Sequence, residues 1–100
     1  IFSYIKINNK KHVTDIAEKQ KISNYANCGI FCFEDGNTLK KYCSMLLLLN
    51  ERQKNEFYTS GVFKLMLRDD IIVNTFEVEK FVCVGTPLQL NNFLRINNEK

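Results

Sequence analysis

The sequence predicts an α/β domain, and three observations carry that prediction. Apolar residues alternate at a two-residue period in residues 2–7 and 12–17, then recur at helical spacing in residues 38–49 and 56–67. Farther on, the strand-like run Phe81-Val82-Cys83-Val84 passes through Gly85 into Thr86-Pro87-Leu88-Gln89, a helix start. Strands alternating with helices in this way build layered α/β folds.

Each element has its own local signal. Residues 2–7 and 12–17 flank the polar turn Asn8-Asn9-Lys10-Lys11 and read as a β-hairpin. After a loop over residues 18–24, the short apolar run 26–33 suits a buried strand, and Glu34-Asp35-Gly36-Asn37 breaks it. Leu39, Tyr42, Cys43, Leu46 and Leu49 then form a helical stripe, with Asp35 or Asn37 available as N-cap. Polar residues 50–55 separate it from a second helix over 56–67, striped by Tyr58, Val62, Leu65 and Met66, which Asp69-Asp70 ends. Ile71-Ile72-Val73 with Phe76 and Val78 predicts another strand, and residues 81–84 one more. Thr86 as N-cap, Pro87 at the first helical position and Gln89 at the third residue after the cap form a capping box before Leu90, Phe93 and Leu94.

Composition bounds the function. One hundred residues, 45% hydrophobic and 25% charged, make a single domain or part of one, here residues 1–100. The chain opens at Ile1 inside an alternating segment, so we expect a fragment whose first strand needs neighbours supplied by the rest of its domain, upstream of Ile1. The net charge is +3 and the lysines are dispersed, without the basic stripe that nucleic-acid binding needs. The longest apolar run, Met45 to Leu49, is far short of a membrane span, and no signal peptide is evident, so the cytoplasm is the expected location. Cys28, Cys32, Cys43 and Cys83 form no CxxC pair and His12 is the single histidine, a poor zinc pattern that reads better as free thiols.

Four places could carry chemistry. Glu18-Lys19 sets opposite charges at a strand end, able to accept from hydroxyls and to meet an anion, or to form only an exposed ion pair. Ala26, Cys28 and Gly29 leave room for a ligand or another backbone to approach. Gly85-Thr86 at a strand-to-helix junction could offer N–H groups to an anion, although most such turns bind water. Glu56 is also explained as an acidic residue in the first turn of a helix. Nothing surrounds His12 that would make it part of a nucleophilic site.

In order along the chain, Ile16-Ala17-Glu18-Lys19, Ser23-Asn24-Tyr25-Ala26-Asn27-Cys28-Gly29-Ile30-Phe31, Glu56-Phe57-Tyr58 and Val84-Gly85-Thr86-Pro87 resemble the blocks of the sugar-phosphate nucleotidyltransferases, or nucleotide-sugar pyrophosphorylases. The resemblance spans residues 3–94. It implies a Rossmann-like α/β/α sandwich with a mixed, mostly parallel sheet, of which this chain is the C-terminal, sugar-binding half. The implied reaction moves a nucleotidyl group from a nucleoside triphosphate to a sugar 1-phosphate, or a related phosphorylated alcohol such as choline phosphate, with Mg²⁺ in the full-length enzyme. Glu18 would then bind sugar hydroxyls and Lys19 the sugar phosphate, while Asn27 and Gly29 line the pocket.

Three positions depart from the family pattern, the least of them Cys28, which replaces the commoner threonine after Asn27. Cys83 stands where a metal-binding aspartate is expected, and sulfur is a poor ligand for magnesium. Gly61 replaces an aspartate common after the E-x-Y segment. The resemblance places the Gly-rich triphosphate loop outside this chain, so the chain alone is expected to be inactive. A non-catalytic ligand-binding or regulatory domain on the same fold is the alternative.

Overall fold

A computed structural model describes residues 2–98. Three strands, β1 (Ser3–Ile7), β2 (Val13–Glu18) and β3 (Tyr25–Ala26), and three helices, α1 (Gly36–Leu49), α2 (Thr59–Arg68) and α3 (Pro87–Asn98), make a mixed α/β domain. No helix among the described residues is long and apolar enough to cross a membrane.

The hairpin forms where the alternation places it. β1 pairs antiparallel with β2, Ser3 opposite Glu18 and Ile5 opposite Ile16, with an irregularity between Lys6 and Ile7. In the turn, the Asn8 side chain accepts from the Lys10 and His12 amides, which fixes the reversal. β3 adds to the other edge of β1, giving the order β2-β1-β3. The expected mostly parallel sheet is therefore corrected: among the described residues both strand pairs are antiparallel.

The strand expected over residues 26–33 shrinks to Tyr25–Ala26, and its own side chains explain why. The Asn27 amide still donates to Ser3 O at 2.8 Å, but Asn27 Oδ1 then accepts from the Gly29 amide at 2.6 Å. Gly29 takes φ +93°, a conformation open to glycine, and the chain leaves the sheet. No atom lies within 4 Å of where its Cβ would stand, so backbone conformation, not crowding, calls for glycine there. Beyond it, Phe31 and Phe33 pack their rings on Phe63 of α2 rather than pairing their backbone.

α1 begins where Asp35 caps it, its carboxylate accepting from the Thr38 amide at 2.7 Å. That bond holds the Asp35 carboxyl below its ordinary 3.8. The folded state thus favours the charged form, a stabilisation present above 3.8 and lost as pH falls through the lower folded value. Asp35→Ala should melt at a lower temperature than the wild type at pH 7, and the gap should close as the pH drops below 3.8. A gap independent of pH would mean that the charge is not what caps the helix.

Tyr42 and Leu46 are the buried residues of α1, facing the buried Val62, Phe63, Leu65 and Met66 of α2 and Ile16 of the sheet. Leu49, expected in the stripe, is exposed, as are Leu47 and Leu48. Gly61 lies under Leu46: a Cβ there would stand 3.1 Å from Leu46 Cδ1 and 3.5 Å from Gln53 Nε2. The aspartate expected at this position would press on the Leu46 side chain. Gly61→Asp should cost about 2 kcal/mol in urea denaturation, and an unchanged midpoint would show that the helices separate freely.

α2 starts three residues later than the stripe implies. Lys54 and Asn55 both take positive φ, and Gln53 and Glu56 exchange backbone bonds of 2.9 and 3.0 Å, so residues 53–56 close a tight turn. Glu56 accordingly lies before the helix and not in its first turn, which removes the macrodipole explanation for it.

The strands expected at residues 71–73 and 81–84 are absent from the described residues. The Val13 amide donates to Val73 O, His12 bridges Asn74, and Thr75 Oγ1 donates to Lys11 O, and the pairing ends there. Ile72, Phe76, Val78, Phe81, Val82 and Val84 remain exposed. Their β-propensity is unspent because, among the described residues, no second strand edge pairs with them. The capping box of α3 is formed as read, Gln89 N donating to Thr86 Oγ1 and Thr86 N donating to Gln89 Oε1, each at 3.2 Å. α3 itself buries no residue.

Candidate functional site

The end of β2, the loop after β3 and the start of α2 enclose a cleft of about 240 Å³. Glu18, Asn27 and Gly29 line it together, with Ser3, Cys28, Thr59 and Ser60 between them; Lys19 is not in the lining. Phe2, Phe31, Tyr58 and Phe81 supply aromatic walls.

Glu18 is the best-held group in the cleft. Its amide donates to Gln53 Oε1 at 3.1 Å, which docks the strand end on the 53–56 turn. Ser60 Oγ donates to Glu18 Oε2 at 3.0 Å and accepts from Gln53 Nε2 at 3.2 Å. Ser60 is 1% exposed, so the middle of this chain of bonds is shielded from water, while Glu18 itself is half-buried and faces the cleft.

Lys19 goes elsewhere. Its amide donates to Phe2 O at 2.8 Å, its backbone takes φ +55°, and its Nζ donates to the Tyr58 hydroxyl at 2.8 Å. The same ammonium stands 5.1 Å from the Tyr58 ring centroid. Tyr58 in turn donates to Glu56 Oε2 at 2.5 Å. The hydrogen bond to Tyr58, with the Glu56 and Glu18 carboxylates adding attraction, holds the Lys19 ammonium above its ordinary 10.5. Glu18 and Lys19 are therefore not an ion pair with each other. The Lys19-Tyr58-Glu56 relay places an exposed positive charge at the side of the cleft.

Cys83 is half-buried and is not among the residues that line the cleft, although Phe81, two residues earlier, is. At the neighbouring Gly85-Thr86 junction the Thr86 amide is already bonded to Gln89, which weakens that turn as an anion site. Sequence reasoning missed Gln53 and Ser60. They lie 35 and 42 residues from Glu18, and no local motif announces a hydrogen bond across that separation.

Comparison with protein-family models, with curated proteins and with solved structures gives no match.

Proposed function

We propose that this cleft is the acceptor pocket of a nucleotidyltransferase, acting in the full-length protein on a nucleoside triphosphate and a sugar 1-phosphate or related phosphorylated alcohol. The observation that carries this reading is that Glu18, from the end of β2, and Asn27 and Gly29, from the loop after β3, line one cleft with Tyr58, whose hydroxyl tethers Lys19. Glu18 would accept hydrogen bonds from the alcohol end of the acceptor, and Lys19 would meet its phosphate. A phosphate oxygen then attacks the α-phosphorus in line. The bond from that phosphorus to the bridging oxygen breaks, and pyrophosphate departs with the electron pair.

Lys19 can bind and orient the anion because its charge persists at physiological pH. Magnesium would accompany the triphosphate and neutralise its charge. Cys83 offers sulfur where that ion takes oxygen, so its ligands do not come from this turn. The same mismatch is what favours the second reading, a cytoplasmic binding or regulatory domain on this fold without catalysis.

The deciding measurement is pyrophosphate release by the full-length protein from each nucleoside triphosphate, with phosphorylated sugars and alcohols as acceptors. Acceptor-dependent release that falls in Lys19→Gln supports transfer. Binding of the acceptor without release from any triphosphate supports the regulatory reading.

A further inference from the structure

We infer that a second, smaller cleft, between the end of α1 and one face of α2, binds a single phosphate-sized oxyanion, either inorganic phosphate or the terminal phosphate of a larger molecule. It shares no lining residue with the cleft described above, and nothing in the proposed transfer uses it.

The backbone makes the space. Asn50 takes φ +53° at the end of α1, and the Glu51 amide donates to Leu46 O at 3.2 Å, which brings Glu51 back beside Leu46. Gly61, Lys64 and Arg68 follow one another at spacings of three and four along α2 and so share a face of it. Gly61 contributes no side chain, and the opening beside Leu46 measures about 120 Å³. That is well below the roughly 300–1,000 Å³ of a drug-sized ligand site, so the occupant is a small group.

Charge selects an anion. Arg52, Lys64 and Arg68 line the cleft against one acidic residue, Glu51. Arg68 Nη1 and Nη2 donate to the two Glu51 oxygens at 2.7 and 2.8 Å, and this bidentate pair holds the Glu51 carboxyl below its ordinary 4.5. Arg52 and Lys64 are left without a counterion. Lys64 adds its attraction to Glu51 but forms no ion pair with it, and its side chain is half-buried. Arg52 donates only to neutral groups, Asn50 Oδ1 at 2.9 Å and Asn55 O at 3.4 Å, and lies 4.6 Å over the Phe57 ring. These contacts orient the guanidinium and leave its charge uncompensated. The helix macrodipole explains Arg68, in the last turn of α2, but not Lys64, which stands in mid-helix. A half-buried ammonium without a counterion favours a ligand that brings one.

A planar fork and a point charge facing one small space suit a tetrahedral dianion, whose oxygens can meet both, better than a lone carboxylate. Gln53 walls this cleft and bonds the Glu18 amide and Ser60 Oγ of the other. The two clefts thus lie on opposite sides of one side chain, and an anion beside Lys64 does not compete with one at Lys19.

The test is calorimetric titration of the full-length protein with inorganic phosphate, glycerol phosphate and acetate at constant ionic strength. Phosphate should bind saturably in Lys19→Gln, and Lys64→Gln or Arg52→Gln added to that variant should each weaken it roughly ten-fold. Lys64→Arg should keep most of the affinity. Lys10→Gln, which removes the same charge from the hairpin turn at the far end of β2 from Gln53, should change nothing. Unchanged urea midpoints in the Lys64 and Arg52 variants show that the loss is one of contact and not of fold. Glycerol phosphate binding tighter than inorganic phosphate assigns the anion to a larger molecule, and the reverse order assigns the free ion. Acetate binding as tightly as phosphate, or affinity indifferent to both Lys64→Gln and Arg52→Gln, would overturn the inference. Phosphate binding abolished by Lys19→Gln alone would overturn it too, while leaving the acceptor cleft in place.

Discussion

Phe63→Ala should lower the stability of the domain by about 3–5 kcal/mol, a large part of the 5–15 kcal/mol available to a domain of ordinary stability. Phe63 is 6% exposed on α2, and its ring stacks on Phe31 at 5.3 Å and on Phe33 at 5.0 Å. Those two rings anchor a segment that has left the sheet after Gly29 and has little else to hold it. Truncation therefore removes a core ring and also frees the stretch that carries Asn27 and Cys28 into the cleft. Ligand binding should weaken along with the urea midpoint. Phe63→Leu, which keeps most of the volume, should retain the larger share of both. A loss under about 1 kcal/mol for the alanine variant would show that the cluster rebuilds without its central ring.

What could be read in the sequence, and what could not, divides along the range of the interactions. The hairpin, the Asp35 cap and the Thr86-Gln89 box were legible because each depends on residues within a few positions of one another. The mostly parallel sheet and the strands at residues 71–73 and 81–84 were not, because β-propensity in Ile72 or Val82 says nothing about whether a partner edge is present. The start of α2 was misplaced because the stripe extends back through Tyr58, while positive φ at Lys54 and Asn55 belongs to a turn that periodicity cannot detect. Glu18, Asn27 and Gly29, which line the cleft, and Lys19, which does not, were named from their blocks, yet the divergence of Glu18 from Lys19 was not legible. That divergence depends on Ser60, Gln53 and Tyr58, which come from elsewhere in the chain.

Lys19→Gln should weaken binding of a phosphorylated acceptor by roughly ten-fold at low salt, the loss expected when a charge-assisted hydrogen bond to phosphate is replaced by a neutral one. Glutamine keeps much of the reach and the polarity but not the charge. The effect should fade as salt rises, because Lys19 is exposed and its attraction is screened. Tyr58→Phe supplies the matching test of how the ammonium is held. It removes the hydroxyl that chiefly raises the Lys19 pKa, so the pKa should fall toward 10.5, leaving the charge intact at pH 7 but the side chain untethered. Because the folded value is the raised one, the tether stabilises the protein below 10.5, and that stabilisation is lost as pH rises through the folded value. Tyr58→Phe should thus cost less affinity than Lys19→Gln. pH separates this contact further: a phosphate monoester gains its second charge near pH 6, so the penalty in Lys19→Gln should be larger at pH 7.5 than at pH 5.5. Dissociation constants measured by titration at both values decide the matter. Equal affinity for wild type and Lys19→Gln would place the phosphate away from Lys19, whereas a penalty of the same size at both pH values would mean that the lost contact was not electrostatic.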